Sequence, residues 1–197
     1  MAPRTAEQSG KIREERRSQI LDAALDAFAQ KGFHDTKVSE IAARAGVSQG
    51  TVYWYFKSKE ELFQAVFKDR VEAMFQPIFA TAFDESLSPA GRILGISRGM
   101  LELTAERDEI VFVFIQTLAT REVANLVTYD LGRYYHDILD VLTPLFEAHG
   151  DRQPLAVAKL YAAVLDGLMV RHILDPAMMD LEQDVAEISA LFHLEEV

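Results

Sequence analysis

The chain has 197 residues, 49% of them hydrophobic, and a formal net charge of −11 at pH 7. That is enough for a small domain fused to a larger one around a buried core. The absence of cysteine excludes disulfides and thiolate metal sites. No stretch approaches the roughly 18 uninterrupted apolar residues of a membrane span, and the polar segment Met1 to Gln19 lacks the apolar core of a secretory signal, so a cytoplasmic chain with no membrane partner is expected.

Residues 1–10 read as disordered. The first predicted helix runs from about Lys11 to Gln30, with Ile20, Leu21, Ala24, Leu25 and Phe28 on one stripe and Gly32 closing it. A short second helix covers Val38 to Ala45 and stops at Gly46. Val47 is the apolar turn residue, and Ser48 can cap a third helix, about Gln49 to Phe56. Ser58-Lys59-Glu60-Glu61 reads as a capping box opening a long fourth helix to about Phe79. Ser88-Pro89 opens a fifth helix, to about Glu106. The sixth, about Asp108 to Thr117, contains Val-Phe-Val-Phe, which also fits a strand, but no second strand is present to pair with it. The seventh spans about Arg121 to Ala148, the eighth Pro154 to Leu174, and the ninth, capped by Asp180, Leu181 to Phe192. The expectation is an all-α protein of about nine helices, with a head at 11–59 and a body at 60–197.

Charge divides the same way. Residues 1–59 hold ten Lys/Arg and seven Asp/Glu, net +3, whereas residues 60–197 hold ten Lys/Arg and 24 Asp/Glu, net −14. A basic head on an acidic body is the asymmetry expected if only the head meets phosphate, although such charges can also be mere solvated surface.

The informative stretch is VSEIAARAGVSQGTVYWYFKSK, Val38 to Lys59. Two short helices joined by Gly46-Val47-Ser48 can present the second to a major groove about 12 Å wide. Ile41, Ala42 and Val52 are placed to pack the pair together. Gln49 can bond an adenine edge in two places, the hydroxyls of Thr51 and tyrosine can reach phosphates, aromatic rings can touch thymine methyls, and Lys57 and Lys59 can meet the backbone charge. Gly50 lets the main chain approach DNA closely. Val52 and Phe56, four apart, fill the inward face. Tyr53, Trp54 and Tyr55 cannot all point outward equally, so Trp54 and Tyr55 are also candidate core residues. Arg13, Arg16 and Arg17 are either phosphate contacts or a solvated face.

The run GFHDTKVSEIAARAGVSQGTVYWYFKSKEELF resembles the DNA-binding domain of TetR-family transcriptional regulators over roughly Ile20 to Phe67. The resemblance implies that the third helix is the recognition helix. It carries the family's DNA contacts onto Ser39, Gln49, Gly50, Thr51, Tyr53, Trp54, Tyr55 and Lys59. Lys37 departs from the pattern, standing where the family often has Ser or Thr; either Thr36 caps the second helix instead or Lys37 reaches a phosphate. The resemblance also implies a helical ligand-binding domain and, by family default, repression.

For the rest of the chain the residues leave two readings. The first is a ligand-responsive regulator, a homodimer that binds a double-stranded palindromic operator and is released by a small, largely apolar effector. The second is an architectural or partner-controlled DNA-binding dimer with a solid core. The effector would touch Phe67, Met74, Met100, Phe112 and Tyr129, oriented by Gln116, Arg133 and His136. Dimerisation would use Leu160, Val164, Leu168, Val185, Ile188 and Phe192, because both of the last helices are apolar on more than one face. Asp166 and Arg171, on an apolar helix, could anchor a ligand or form an internal ion pair, with the ion pair slightly favoured. His136 and Asp140, four apart, lack a third ligand at fixed spacing, so no metal or cofactor is expected. No nucleophile–base arrangement or phosphate-cradling loop is present, which argues against an enzyme.

Overall fold

The computed structural model describes the backbone of residues 6–194, and the side chains there apart from residues 6, 7, 9, 118, 119, 121 and 128–135. Every regular element among them is helical: α1 (Ala6–Asp35), α2 (Val38–Arg44), α3 (Gln49–Tyr55), α4 (Lys59–Val66), α5 (Ala73–Ala80), α6 (Pro89–Glu106), α7 (Asp108–Ala119), α8 (Arg121–Leu126), α9 (Thr128–His149), α10 (Pro154–Leu174) and α11 (Leu181–Leu191). A π-helical turn, Phe67–Glu72, joins α4 to α5, and short 3₁₀ turns cover Thr81–Phe83 and Pro176–Met178.

The helix starts follow from local chemistry. Ser48, Ser58, Ser88 and Asp180 each accept a backbone N–H from the third residue onward, at 3.0, 3.1, 3.0 and 3.1 Å. These groups satisfy donors that the first helical turn leaves unpaired. The box at Ser58 is shifted by one residue: Glu61 Oε2 accepts the N–H of Lys57, at 2.8 Å, rather than that of Ser58.

Several boundaries differ from expectation. Helix α1 begins at Ala6, so residues 6–10 are helical rather than disordered; Glu, Gln, Lys and Arg between them and Arg17 are good helix formers. Gly32 leaves helical geometry with φ 75°, and one more turn follows to Asp35. The long fourth helix is interrupted at Phe67–Glu72 and carries Pro77 inside α5. A proline has no N–H to donate and crowds the carbonyl four residues back, so a regular ladder cannot run through it. The predicted seventh helix is two, α8 and α9, parted at Val127 (φ −112°, ψ 12°). Val127 is buried, so anchoring its side chain in the core takes precedence over helical continuity at a β-branched pair, Val127-Thr128.

Aromatic contacts hold the two halves together. Phe63 of α4 meets Phe28 and Phe33 edge-on, at 5.1 and 5.2 Å between centroids. In the body, Phe114 of α7 lies 5.4 Å from Phe75 and 6.4 Å from Phe67. Phe146, Tyr161 and Phe192 tie α9, α10 and α11 into one cluster at 5.5–6.1 Å. Each buried ring contributes about 1.5–3 kcal/mol by leaving water. The fully buried Tyr161 hydroxyl is paired with Ser97 Oγ at 2.7 Å and donates to the Ile93 carbonyl at 3.0 Å, so its burial leaves no polar group unpaired.

Candidate nucleic-acid interface

The turn between α2 and α3 is a Schellman motif. Gly46 takes the left-handed conformation (φ 66°), its N–H reaches Ala43 O at 3.2 Å, and the Val47 N–H reaches Ala42 O at 2.9 Å. An L side chain at Gly46 would be strained there. Val38, Ile41, Ala42, Val52 and Phe56 are buried, which fixes the angle between the two short helices.

With that side inward, α3 shows the opposite side to solvent. Gln49 and Gly50 are exposed, Tyr53 is 46% and Trp54 63% exposed, and Lys37, Ser39 and Lys57 are exposed beside them. Thr51 is half-buried, with its hydroxyl paired to Ser48 Oγ at 2.8 Å. A Cβ at Gly50 would meet only Ser48 Oγ, at 3.7 Å, so the protein's own packing does not require glycine there. Lys37 is the N-cap of α2 and makes no side-chain cap bond. Thr36 does not cap α2 either: its hydroxyl donates back to Gly32 O and Ala27 O, at 2.7 and 3.1 Å.

Two expected contacts have other work. Tyr55 is half-buried and its hydroxyl donates to the Arg13 carbonyl at 3.1 Å, which braces α3 against α1. Lys59 turns away from the recognition face: its ammonium donates to Phe33 O, His34 O and Thr36 O at 2.7, 3.0 and 3.2 Å, and lies 4.4 Å from the Phe33 ring centroid. All three N–H donors of the lysine are thereby used on carbonyls left over where α1 ends, a favourable place for a cation. Both contacts run onto α1, from Tyr55 at the end of α3 and from Lys59 at the start of α4.

Arg13 was legible only as one of three equivalent arginines. The structure separates them: Arg13 stacks on exposed Trp54 at 4.7 Å, Arg16 bonds Gln19 at 3.0 Å, and Arg17 pairs with Asp69 at 2.6 Å. Only Arg13 extends the surface of α3.

The residues expected around an effector are not brought into one place. Phe67 is buried, and Met74 and Phe112 are half-buried against the core. Met100 lines a core cavity of about 30 Å³, whereas Gln116 lines a separate cleft of about 320 Å³ between α1, α7 and α8. His136 is exposed, and the side chains of Tyr129 and Arg133 lie outside the described residues. The expected Asp166–Arg171 pair is not formed. Arg171 pairs with Asp184, which also bonds His172 Nε2 at 2.8 Å, while burial pushes the Asp166 carboxyl up to about 6.

The dimerisation set also divides. Leu160 is 64% exposed, and Val164, Leu168 and Val185 are half-buried. Ile188 is 1% exposed within the single chain, and Phe192 packs on Phe146 and Tyr161. Ile188 therefore belongs to the core, because α11 turns that side onto the body. Leu155, Leu174, Met178 and Leu191 are exposed instead.

A short helix locked by a tight turn, with one packed side and one polar-aromatic side exposed, defines a helix-turn-helix DNA-binding protein. Residues 20–66 match the family described as bacterial regulatory proteins, tetR family. Over that segment the chain carries the DNA-binding region of the tetR family of bacterial regulatory proteins. It is 25% identical over 172 residues to the fatty acid metabolism regulator protein of Bacillus subtilis, covering 87% of this chain and 88% of that one. Its fold matches a TetR-like transcriptional regulator from Rhodococcus sp. RHA1 with a TM-score of 0.77 at 23% identity, over 98% and 97% of the two chains. It also matches the regulator FadR from Bacillus subtilis in complex with stearoyl-CoA, with a TM-score of 0.72 at 22% identity, over 90% and 96%. Among the described residues no helix is long and apolar enough to cross a membrane.

Proposed function

We propose that this regulator is a homodimeric repressor, with a reading head at 11–59 and a sensing and dimerisation body at 60–197, released from a palindromic operator by a small, largely apolar effector. The observation that carries the DNA-binding half is the exposed row Gln49, Tyr53 and Trp54 on a helix whose other side is locked by Val52 and Phe56. Leu160, Gly167 and Leu174 recur along one side of α10, with open space at Gly167 and exposed leucines on both sides of it. An exposed apolar stripe of that kind favours a second copy across a two-fold axis. Two heads would then meet half-sites about 34–36 Å apart, or a multiple of that distance.

The relative crystallised with stearoyl-CoA supports an apolar effector. The small core cavity, about 30 Å³, favours the second reading, an architectural or partner-controlled dimer. Operator fragments selected from genomic DNA, and their affinity measured against alkyl compounds and acyl thioesters, separate the two. An effector changes affinity about 5–150-fold; an architectural protein shows no such linkage. Failure to select any palindrome would overturn the DNA-binding half as well.

A further inference from the structure

The core cavity lies between α5, α6, α7, α9 and α10. Its walls include Phe79, Ile96, Met100, Phe114 and Leu142, and the one carboxylate among them is Asp166. Asp166 forms no hydrogen bond or ion pair with any described residue. Among the described wall residues the only other ionisable group, Tyr161, has its hydroxyl committed to Ser97 and Ile93. Phe79, Ile138 and Asp166 are half-buried, so the cavity reaches the surface beside the acid.

A carboxylate without a partner in an apolar wall is costly to the fold, and the arginine nearest in sequence, Arg171, is already paired with Asp184. We propose that this cavity takes an amphiphile with a cationic head, an alkylammonium ion or similar lipophilic amine, whose ammonium donates to the Asp166 carboxylate while its chain enters between α6, α7 and α9. The proposal rests on the effector reading above and names the chemistry of that effector. Three observations favour a cation over a neutral or anionic head. No lysine or arginine lines the cavity among the described residues. Among the described wall residues no free donor is available to a carboxylate or phosphate. The body carries net −14 over residues 60–197, which concentrates cations and repels anions. The empty volume holds about one water, so the chain must displace side chains. Met100 is unbranched and flexible, and Phe79 stands at the half-buried rim, so the wall is built from groups able to move.

The test is calorimetric titration of the full-length protein at pH 7.5 with decylamine, decanol and decanoate, each below its micelle concentration. Decylammonium is expected to bind at least about tenfold more tightly than either of the others, the margin of a charge-assisted hydrogen bond. Asp166→Asn, close in shape and free of the buried charge, should reduce its affinity to that of decanol. Because Asp166→Asn keeps the acidic surface, binding that survives it would be surface adsorption and would overturn the proposal. Equal or tighter binding of decanol or decanoate would overturn it too, while leaving an apolar effector in place. If no alkyl chain of any head group binds, both the proposal and the effector reading fall.

Discussion

The guanidinium of Arg13 stands 4.7 Å from the centroid of the Trp54 indole, joining the exposed end of α1 to the exposed end of the recognition helix. An exposed stack of this kind contributes about 0.5–1 kcal/mol. Because it holds the arginine at the edge of α3, Arg13→Ala should weaken operator binding at every sequence and lower the slope of log affinity against log salt by about 1. Trp54→Ala should lose part of the same term, so the two changes together should cost less than their sum. Additive losses in fluorescence anisotropy would show that the stack does not position Arg13.

Lys59 and Tyr53 should separate stability from binding. Lys59→Ala leaves three carbonyls near the end of α1 without their donor and should destabilise the head by about 1–3 kcal/mol. Tyr53→Ala removes an exposed ring and should leave the denaturation midpoint nearly unchanged while weakening DNA binding. Urea denaturation alongside anisotropy checks both; an unaltered midpoint in Lys59→Ala would show that its contacts carry no stability.

The carboxyl of Asp166 sets a pH dependence. Its folded value, raised by burial to about 6 from an ordinary 3.8, favours the folded state fully only below about pH 4. That contribution is lost as pH rises through 6, because the fold must then carry a buried charge. The cost reaches at most about 3 kcal/mol, less what solvent recovers at the exposed edge. Asp166→Asn should therefore match the parent in stability at pH 4 and exceed it at pH 7.5. Equal stability at both values, in chemical denaturation, would contradict this sign.

Leu160 and Ile188 should divide association from folding. Leu160→Glu places a charge on the exposed stripe of α10 and should yield a folded monomer by light scattering. Ile188→Ala hollows the core under α11 and should cost about 2–5 kcal/mol of stability. A dimer that survives Leu160→Glu would place the interface elsewhere.

Local chemistry was legible in advance wherever a residue acts on its neighbours. The caps at Ser48, Ser58, Ser88 and Asp180 and the left-handed turn at Gly46 involve partners within five residues, and each stands where the sequence places it. The inward pair Val52 and Phe56 follows from helical period alone. Lys59 was not legible, because its carbonyl partners lie 23 to 26 residues away and nothing in a Ser-Lys-Glu run distinguishes a lysine facing DNA from one facing α1. The same holds for Tyr55 and Arg13, 42 residues apart. Ile188 and Leu191 have the same apolar character, and only the placement of α11 on the body decides which is buried. Arg171 pairs with Asp184 on another helix rather than with Asp166, a choice that spacing along α10 does not reveal.

The π-helical turn at Phe67–Glu72 carries the ties between the first helix and the rod that continues α4. Asp69 holds Arg17, and Arg70 holds Asp22 at 2.6 Å together with the Ser18 hydroxyl and carbonyl at 2.7 and 3.1 Å. Neighbouring residues on a helix are about 100° apart around its axis. Rewinding this one wide turn by a single residue would swing both side chains off their partners. The polar ties between α1 and this turn are thus set by a hydrogen-bond register, whereas the aromatic contacts of Phe63 with Phe28 and Phe33 beside them do not depend on it.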